Sequence, residues 1–297
     1  MKKIAVTGAS GYIASLVQRT NAGRFEFLPV RHKDLDFADP EKVHAYFEAL
    51  DFDLVLNTAA QATTAVCEKE PELTHRINTE SAIAIADVCR QKGRRLIAIS
   101  SEQCLNGHTD KGPFTEEAEA VSVTRYGQQK AEADAWIQSH LENYVILRFS
   151  WMMGMAMPGV KPSPNIIRNV LSALHTRTPA LFTVHEVRGM TYAQRLADQF
   201  TAITELPSGL YNFSSVNHLC TYDAACYIAA QFGASPEDIR SYILPNNERY
   251  AERARDYRLD CTKIKAQGIQ LGTFEEDVQQ CLQDFGWLKE ARQEDRK

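Results

Sequence analysis

A glycine-rich turn near the start of the chain constrains its fold more than any other feature. The stretch VTGASGYIA follows the apolar run KIAV and puts Gly8 and Gly11 between a predicted strand and a predicted helix. Without β-carbons, these residues let backbone N–H groups approach a phosphate at the helix N-terminus. Ala14 occupies a third small position, which suits close packing of the helix on a sheet. The turn therefore predicts a dinucleotide-binding strand–turn–helix unit.

Apolar runs and helical patterns alternate after this turn. Further strands are predicted over 25–30, 53–60, 95–101 and 144–149, and helices over 40–50, 72–92 and 126–140. Pro29 indicates a strand end or a sheet edge, while Asp39 and Pro40 suit the N-cap and first position of a helix. Such alternation is typical of a parallel sheet wrapped by helices through right-handed crossovers. The predicted fold class is α/β, a Rossmann-type doubly wound parallel sheet with a smaller C-terminal α/β substrate domain.

The regular alternation ends at Trp151. We predict a dinucleotide-binding domain over residues 1–150 and a mainly substrate-binding domain over 151–297, with 210–216 returning a strand to the first sheet. Methionine, glycine and proline crowd residues 152–164, which predicts a loop. Helices are predicted over 221–233 and 273–288.

Composition and charge exclude several classes of function. The formal charge is −5, from 38 acids and 33 bases with no long block of either sign, so no nucleic-acid or membrane partner is indicated. Seven scattered cysteines without C-x-x-C spacing indicate neither a disulfide framework nor a metal site. No run approaches the ~20 apolar residues of a membrane span. We expect a cytoplasmic protein with a small-molecule ligand.

The residues after the second predicted strand bear on the choice of dinucleotide. An acid about 20 positions beyond the glycine turn binds ribose hydroxyls, whereas a base favours a 2′-phosphate. The strand runs into Arg31, His32 and Lys33, which favours NADP(H) over NAD(H), although a solvated basic loop is the plain alternative. Asp36 and Phe37 could instead lie against the adenine.

The stretch RYGQQKAE puts Tyr126 and Lys130 four positions apart, so both side chains leave one helix face. A tyrosine donates its proton poorly at neutral pH unless a nearby cation stabilises the phenolate. Two charges ~4 Å apart attract by about 1 kcal/mol in water but about 4 kcal/mol at an effective dielectric near 20, so the pair needs a sheltered site. Ser101 ends a strand at the carboxyl edge, where ligands bind in open sheets, and could donate to a carbonyl oxygen. These residues predict a proton donor, its electrostatic tuner and an orienting hydroxyl.

The set TGxxGxxA, NTAA, SS, YGxxK and LR resembles the extended short-chain dehydrogenase/reductase superfamily. Within it, ISSEQCLNG, PFTEE, RYGQQKAEAD, ILRFSW and RLD resemble the dTDP-4-dehydrorhamnose reductase (RmlD-like) family. The similarity covers nearly the whole chain and is densest over 1–151. It implies NAD(P)H-dependent reduction of a nucleotide-linked 4-keto-6-deoxy sugar, with Tyr126 as general acid, and it is compatible with a homodimer.

The resemblance also implies functional positions. The catalytic positions are Ser101, Tyr126 and Lys130. The cofactor-binding positions are Gly8, Ser10, Gly11, Tyr12, Ile13, Arg31, Asp36, Phe37, Thr58, Ala59, Ala60, Tyr126 and Lys130. The substrate-binding positions are Glu102, Arg148, Trp151 and Arg253, although Arg148 could instead pair with an acid in the core and Trp151 could simply pack.

The chain departs from the family pattern around the substrate. The usual S-T-D-Y-V-F-D-G is SSEQCLNG here, which keeps a hydroxyl at Ser101 and a charge at Glu102. The usual D-Q-x-G-x-P-T becomes HEVRGMT, and the C-terminal R-P becomes Arg253 and Ala254. These departures indicate that the substrate-binding residues differ from those usual in the family.

Two other functions stay open. An epimerase or dehydratase of the same superfamily usually needs extra acids or a cysteine beside the hydroxyl, and Glu102 and Cys104 could supply them. A non-catalytic dinucleotide-binding module, resembling the regulatory β subunit of methionine adenosyltransferase, would suit the altered substrate loops.

Overall fold

The computed structural model describes residues 1–160 and 163–287, so the last part of the predicted 273–288 helix and of the 151–297 domain lies outside the described residues. The strands are β1 (Lys3–Thr7), β2 (Glu26–Val30), β3 (Leu54–Asn57), β4 (Arg95–Ser101), β5 (Tyr144–Phe149), β6 (Trp151–Met153), β7 (Ala180–Thr183), β8 (Glu186–Arg188), β9 (Met190–Tyr192), β10 (Gly209–Phe213), β11 (Ile243–Asn246) and β12 (Arg255–Tyr257). Six of them form one parallel sheet in the order β2-β1-β3-β4-β5-β10. The predicted α/β class with a parallel sheet is confirmed.

Helices cover both faces of this sheet and build the second half of the chain. They are α1 (Tyr12–Thr20), α2 (Pro40–Ala49), α3 (Thr64–Lys69), α4 (Pro71–His75), α5 (Ser81–Gln91), α6 (Arg125–His140), α7 (Ile166–Thr176), α8 (Gln194–Asp198), α9 (Phe200–Ile203), α10 (Thr221–Gln231), α11 (Pro236–Tyr242), α12 (Thr262–Lys265) and α13 (Phe274–Asp284). Core residues of α1, α8 and α9 pack on one face, and those of α2 and α5 pack on the other.

The edge strand and the helix after it follow the sequence signals. Pro29 lies in β2, opposite Val6 of β1. Because β2 is the outermost strand, no further strand needs a hydrogen bond from the backbone N–H that proline lacks. The Asp39 side chain accepts a hydrogen bond from the backbone N–H of Lys42 and caps α2, with Pro40 at the first position. Phe47 on this helix is fully buried and meets Phe52 edge-on.

The predicted 72–92 helix is confirmed as helical structure over Pro71–Gln91, but it is not a regular α-helix throughout. Helical structure already begins at Thr64, and a π-helical turn over Arg76–Glu80 separates α4 from α5. Within that turn, the Asn78 side chain accepts from the backbone N–H of Gln61 and donates to the Gln129 side chain. These contacts satisfy a polar side chain buried between α6 and the loop after β3, which helical propensity alone does not encode.

The second half of the chain contains more strand than the sequence indicated. The predicted 152–164 loop overlaps β6, which pairs in parallel with β9. Two further parallel pairs, β7 with β11 and β8 with β12, pack beside the main sheet. β10 pairs with β5 and ends at Phe213, while a capping box between Thr273 and Glu276 starts α13. Within 1–160 and 163–287, no helix is long and apolar enough to cross a membrane.

We expect Phe47→Ala to lower the free energy of unfolding by about 3–5 kcal/mol, because it removes a fully buried ring. Urea unfolding followed by circular dichroism measures the change. On the same helix, Glu48 is mostly exposed, so Glu48→Ala should stay within about 0.5 kcal/mol of the parent. Equal effects of the two variants would contradict the packing described for α2.

Candidate active site

The strand order of the main sheet reverses between β1 and β3, which opens a crevice beyond their carboxyl ends. The hydroxyl of Thr7 holds this point together: it donates to Asn57 Oδ1 at 2.7 Å and accepts the N–H groups of Thr58 and Ala59, each at 3.0 Å. The loop after β3 is thereby held against the turn after β1. Ala60 is exposed beside it.

The glycine turn forms a cradle on one side of this crevice. Gly8 has a φ of +60°, and its carbonyl accepts the N–H of Gly11 at 2.7 Å. A β-carbon on Gly8 would lie 3.0 Å from Thr58 Oγ1 and 3.2 Å from the Ala59 backbone. No side chain caps the start of α1, so its first N–H groups can bind a phosphate. The turn fits a dinucleotide pyrophosphate.

Other predicted cofactor residues differ in their exposure. Ser10 and Arg31 are exposed, with Arg31 Nη1 3.9 Å from Asp34 Oδ2. Ile13 is partly buried, whereas Tyr12 is buried and its hydroxyl donates to the Met155 carbonyl. Asp36 is exposed, whereas Phe37 is packed in the core next to α2 and α5. Of these two, Asp36 is the side chain free to reach a ligand.

Ser101 ends β4 and begins a 3₁₀ turn over Glu102–Leu105. Its Oγ accepts the N–H of Gln103 at 3.2 Å, and the hydroxyl lies 3.5 Å from Glu102 Oε2. The side chain is partly exposed at the carboxyl edge of the sheet. The hydroxyl therefore lies where a ligand in the crevice can reach it.

A close backbone approach brings α6 to the same edge. Thr124 caps the helix by accepting from the N–H of Gly127, and Tyr126 lies in its first turn. A β-carbon on Gly127 would lie 2.1 Å from the Gln103 carbonyl oxygen and 2.2 Å from Ser122 Oγ. Only glycine permits this contact, which brings the start of α6 against the turn that follows Ser101.

The pKa of Tyr126 is raised in the ligand-free protein, and stabilisation of its phenolate by Lys130 under a bound ligand stays a prediction. Burial raises the pKa of the Tyr126 phenol, and the nearby Cys104 and Glu102 raise it further. Lys130 is itself buried, and its charge also acts on Asp134, whose pKa it lowers against the rise due to burial. The charge of Lys130 thus also interacts with Asp134, one helical turn further along. The Tyr126 phenol stays protonated.

Asp134 joins this helix to β4, and the sequence argument missed it. It is 4% exposed and accepts a hydrogen bond from the hydroxyl of Ser100. Arg148 on β5 lies 3% exposed, and its positive charge lowers the pKa of Asp134. Nε and Nη1 of Arg148 are nevertheless enclosed without a hydrogen-bond partner among the described residues, so neither pairing with a core acid nor contact with a substrate phosphate is favoured. The spacing of Tyr126, Lys130 and Asp134, four residues each, was the available signal.

Two departures from the family pattern, Gln103 and Asn106, contact each other. Asn106 Nδ2 donates to Gln103 Oε1 and to Thr124 Oγ1, each at 2.9 Å, and Asn106 Oδ1 accepts the N–H of Val123. The Asn106 carbonyl accepts from Arg253 Nη2 at 3.3 Å. Asn106 therefore supports the segment that caps α6, and Arg253 is tied to its backbone.

A buried charge cluster lies beyond Ser101. Arg188 Nη2 is 3.4 Å from Glu102 Oε1, and Arg188 Nε is 3.3 Å from Glu186 Oε1. The guanidinium also lies over the rings of Trp151 and Tyr257. Burial raises the pKa of Glu102, while Arg188 and Gln103 oppose the rise. Glu102 and Trp151 are predicted from the sequence, but Arg188 and Tyr257 are not, because β8 and β12 are far apart in the chain.

Among the residues that the structure describes, no group of three or more histidine, cysteine, aspartate or glutamate side chains is arranged to hold a metal ion.

Comparison with known proteins agrees with this architecture. A family model described as RmlD substrate binding domain matches residues 1–286. A probable low-salt glycan biosynthesis reductase of Haloferax volcanii is 26% identical over 92% of this chain and 95% of its own length. The mouse methionine adenosyltransferase 2 subunit beta is 22% identical over 98% of this chain and 90% of its own length. The crystal structure of dTDP-4-dehydrorhamnose reductase from Bacillus anthracis in complex with NADP, 19% identical, superposes with a TM-score of 0.83 over 96% of this chain and 99% of that one.

Replacing Gly127 by alanine tests the close approach of α6. Helix propensity alone predicts a gain of about 0.5–1 kcal/mol in the free energy of unfolding. Because the added methyl group would meet the Gln103 carbonyl, we instead expect a loss of about 1–3 kcal/mol. Urea unfolding gives the sign directly, and a gain in stability would refute the contact.

Proposed function

The chain belongs to the RmlD substrate-binding domain family and is an oxidoreductase of the short-chain dehydrogenase/reductase type, and from this premise we propose that it reduces a nucleotide-linked 4-keto-6-deoxy sugar with NADPH. The observation that carries the proposal is the approach of Gly127 to the turn after Ser101, since it brings the helix of Tyr126 and Lys130 to the strand edge that also holds the glycine cradle. The proposed partner is therefore a nucleotide sugar. The homodimer and the cytoplasmic location stay predictions from the sequence.

Residues of the crevice would hold the dinucleotide. Gly8, Gly11 and the first turn of α1 would bind the pyrophosphate through backbone N–H groups. The exposed Arg31 would bind a 2′-phosphate, which supports NADPH over NADH. When bound, the cofactor supplies the hydride. Lys130, on the same helix as Tyr126, would hold the nicotinamide ribose.

Tyr126 would act as general acid on the carbonyl oxygen. Its raised pKa keeps the phenol protonated in the ligand-free protein but makes it a weak acid, so proton transfer depends on groups that stabilise the phenolate. Ser101, partly exposed at the strand edge, would donate a second hydrogen bond and orient the carbonyl. Lys130 would stabilise the phenolate that forms when the proton leaves, and in a sheltered site this attraction is several times stronger than in water.

The buried groups beside Ser101 count against an epimerase or dehydratase. Cys104 is fully buried, and burial raises the pKa of its thiol to about 12, so it cannot exchange protons with a ligand in the crevice. Glu102 is held by Arg188 and by Gln103, whose Nε2 donates to it at 3.0 Å. Neither group is free to act as the extra acid or base which such a reaction needs.

The second candidate is a non-catalytic regulatory module. The likeness to the mouse methionine adenosyltransferase 2 subunit beta favours it, since that protein is a subunit by name. Retention of Ser101, Tyr126 and Lys130 supports an enzyme instead. Consumption of NADPH with a panel of 4-keto sugar nucleotides separates the two functions, because a module without chemistry consumes none.

We expect Tyr126→Phe to lower kcat by a factor on the order of 10² to 10⁴, because the general acid is removed while the ring is kept. NADPH oxidation at 340 nm measures turnover, and a fluorescence titration should find NADPH affinity little changed. Tyr144→Phe is the matched control, since Tyr144 starts β5 at the opposite edge of the sheet. An unchanged kcat in Tyr126→Phe would remove this residue from the proposed role.

The cradle is tested with two glycines of nearly equal conformation, Gly8 at a φ of +60° and Gly93 at +62°. Replacing either by alanine should cost about 1–2 kcal/mol of stability through backbone strain. Only Gly8→Ala should also weaken dinucleotide binding, because a β-carbon there enters the crevice whereas nothing lies within 4 Å of one on Gly93. Titration of the parent and both variants with NADPH and NADH measures the loss and the cofactor preference. Equal affinities in the two variants would contradict the cradle.

A further inference from the structure

Arg188 is a nearly desolvated cation held between two carboxylates and two aromatic rings. Its side chain is 12% exposed, and those of Glu102 and Glu186 are 4% and 8% exposed. The centre of the guanidinium lies 5.2 Å from the Trp151 ring and 5.7 Å from the Tyr257 ring. The three charged side chains carry a formal charge of −1, and the cluster begins at the residue after Ser101.

The cluster joins separate parts of the fold. Glu102 follows β4 of the main sheet, whereas Glu186 and Arg188 lie on β8. Tyr257 on β12 is the cross-strand partner of Arg188. The cluster therefore exists only when the second half of the chain is docked on the first, at the boundary where a substrate would bind.

The hydrogen-bonding capacity of the Arg188 guanidinium is only partly used. A guanidinium has five N–H donors. Nη2 of Arg188 is aligned with Glu186 Oε2 at 3.5 Å, and Nε is enclosed without a hydrogen bond. Nη1 makes no hydrogen bond to any described residue, and the side chain is 12% exposed, so part of its donor capacity is left for a ligand. Buried ion pairs this long stabilise a fold weakly, because desolvation offsets the attraction. A role in stability alone explains the cluster poorly.

All three charged residues stand at positions where the chain departs from the family pattern. In the alignment of HEVRGMT with D-Q-x-G-x-P-T, Arg188 replaces a glycine and Glu186 a glutamine, and Glu102 replaces an aspartate. The two acids pair with the arginine in this protein. The departures form one coupled group beside the candidate catalytic hydroxyl.

We infer that Arg188, Glu102 and Glu186 form a specificity subsite that binds a hydroxyl group of a neutral sugar next to the reacting carbonyl. This inference rests on the proposed function. The guanidinium donates and the carboxylates accept, and a hydroxyl does both. A carboxylate substituent would lie beside the two acidic side chains and is disfavoured, and a hydrogen or methyl group leaves buried polar groups unpaired.

Binding without turnover tests the subsite. Isothermal titration calorimetry of the NADP⁺-saturated protein would use dTDP-glucose, its 3-deoxy and 6-deoxy analogues, and dTDP-glucuronate. In the parent, loss of the hydroxyl that faces Arg188 should weaken binding by about 10- to 100-fold, as expected for a hydrogen bond to a charged group. In Arg188→Gly, loss of the same sugar hydroxyl should weaken binding by less than about 3-fold, because the protein partner of that hydroxyl is gone.

Two variants keep the test decisive. Arg24→Gly is the matched control: it makes the same substitution at an exposed arginine just before β2, away from the cluster, and should keep the parent's discrimination. Glu186→Gln keeps the shape of the side chain and removes one negative charge, so it should narrow the difference in affinity between dTDP-glucose and dTDP-glucuronate. This variant still tests the subsite if Arg188→Gly does not fold. Thermal unfolding of each variant identifies a folding defect.

Several outcomes would overturn the subsite. They are an equal loss of affinity for every probe in Arg188→Gly, unchanged discrimination in both Arg188→Gly and Glu186→Gln, and no binding of any probe to the parent. Discrimination as expected, without NADPH oxidation on any 4-keto sugar nucleotide, would support the subsite and refute the reductase. NADPH oxidation on a 4-keto sugar nucleotide, without discrimination among the binding probes, would support the reductase and refute the subsite.

Discussion

The hydrogen bond between the Ser100 hydroxyl and Asp134 is the contact on which the geometry of the candidate site depends. It ties the middle of α6 to the end of β4, deep between helix and sheet. Lys130 on the same helix and Arg148 on β5 supply the charges that make a buried carboxylate tolerable, against a burial that raises the pKa of Asp134. Because Tyr126 and Ser101 sit on these same two elements, this contact and the approach of Gly127 to Gln103 together determine where they meet.

The electrostatics of Tyr126 follow from the same network. An ammonium one turn away lowers the pKa of a phenol only if its charge is not already balanced, and Asp134 partly balances Lys130. Burial then dominates, and the pKa of Tyr126 is raised. In the resting state the phenol is thus protonated, and the charge of Lys130 acts on Asp134. The lysine gains importance when a negative charge develops on the phenol, which is when a general acid needs it.

The substrate side is built differently from the cofactor side. The cradle at Gly8 uses backbone groups and a threonine hydroxyl network, so it depends little on distant parts of the chain. The cluster beyond Ser101 uses side chains from the turn after β4, from β8 and from β12, which meet only in the assembled fold. Changes in the second half of the chain can therefore alter what is bound without disturbing the dinucleotide site, which fits a reductase scaffold with an altered sugar preference.

The sequence by itself determined the strands of the main sheet from β1 to β5, the cap of α2, the glycine turn and the spacing of Tyr126 and Lys130. These features depend on local periodicity, capping and backbone freedom, which neighbouring residues encode. Only the tertiary structure decided the π-helical turn at Arg76–Glu80, the strand at Trp151–Met153, the burial of Arg148 and the enclosure of Arg188. Each depends on contacts between residues distant in the chain, and burial there sets charge and geometry more strongly than local propensity does.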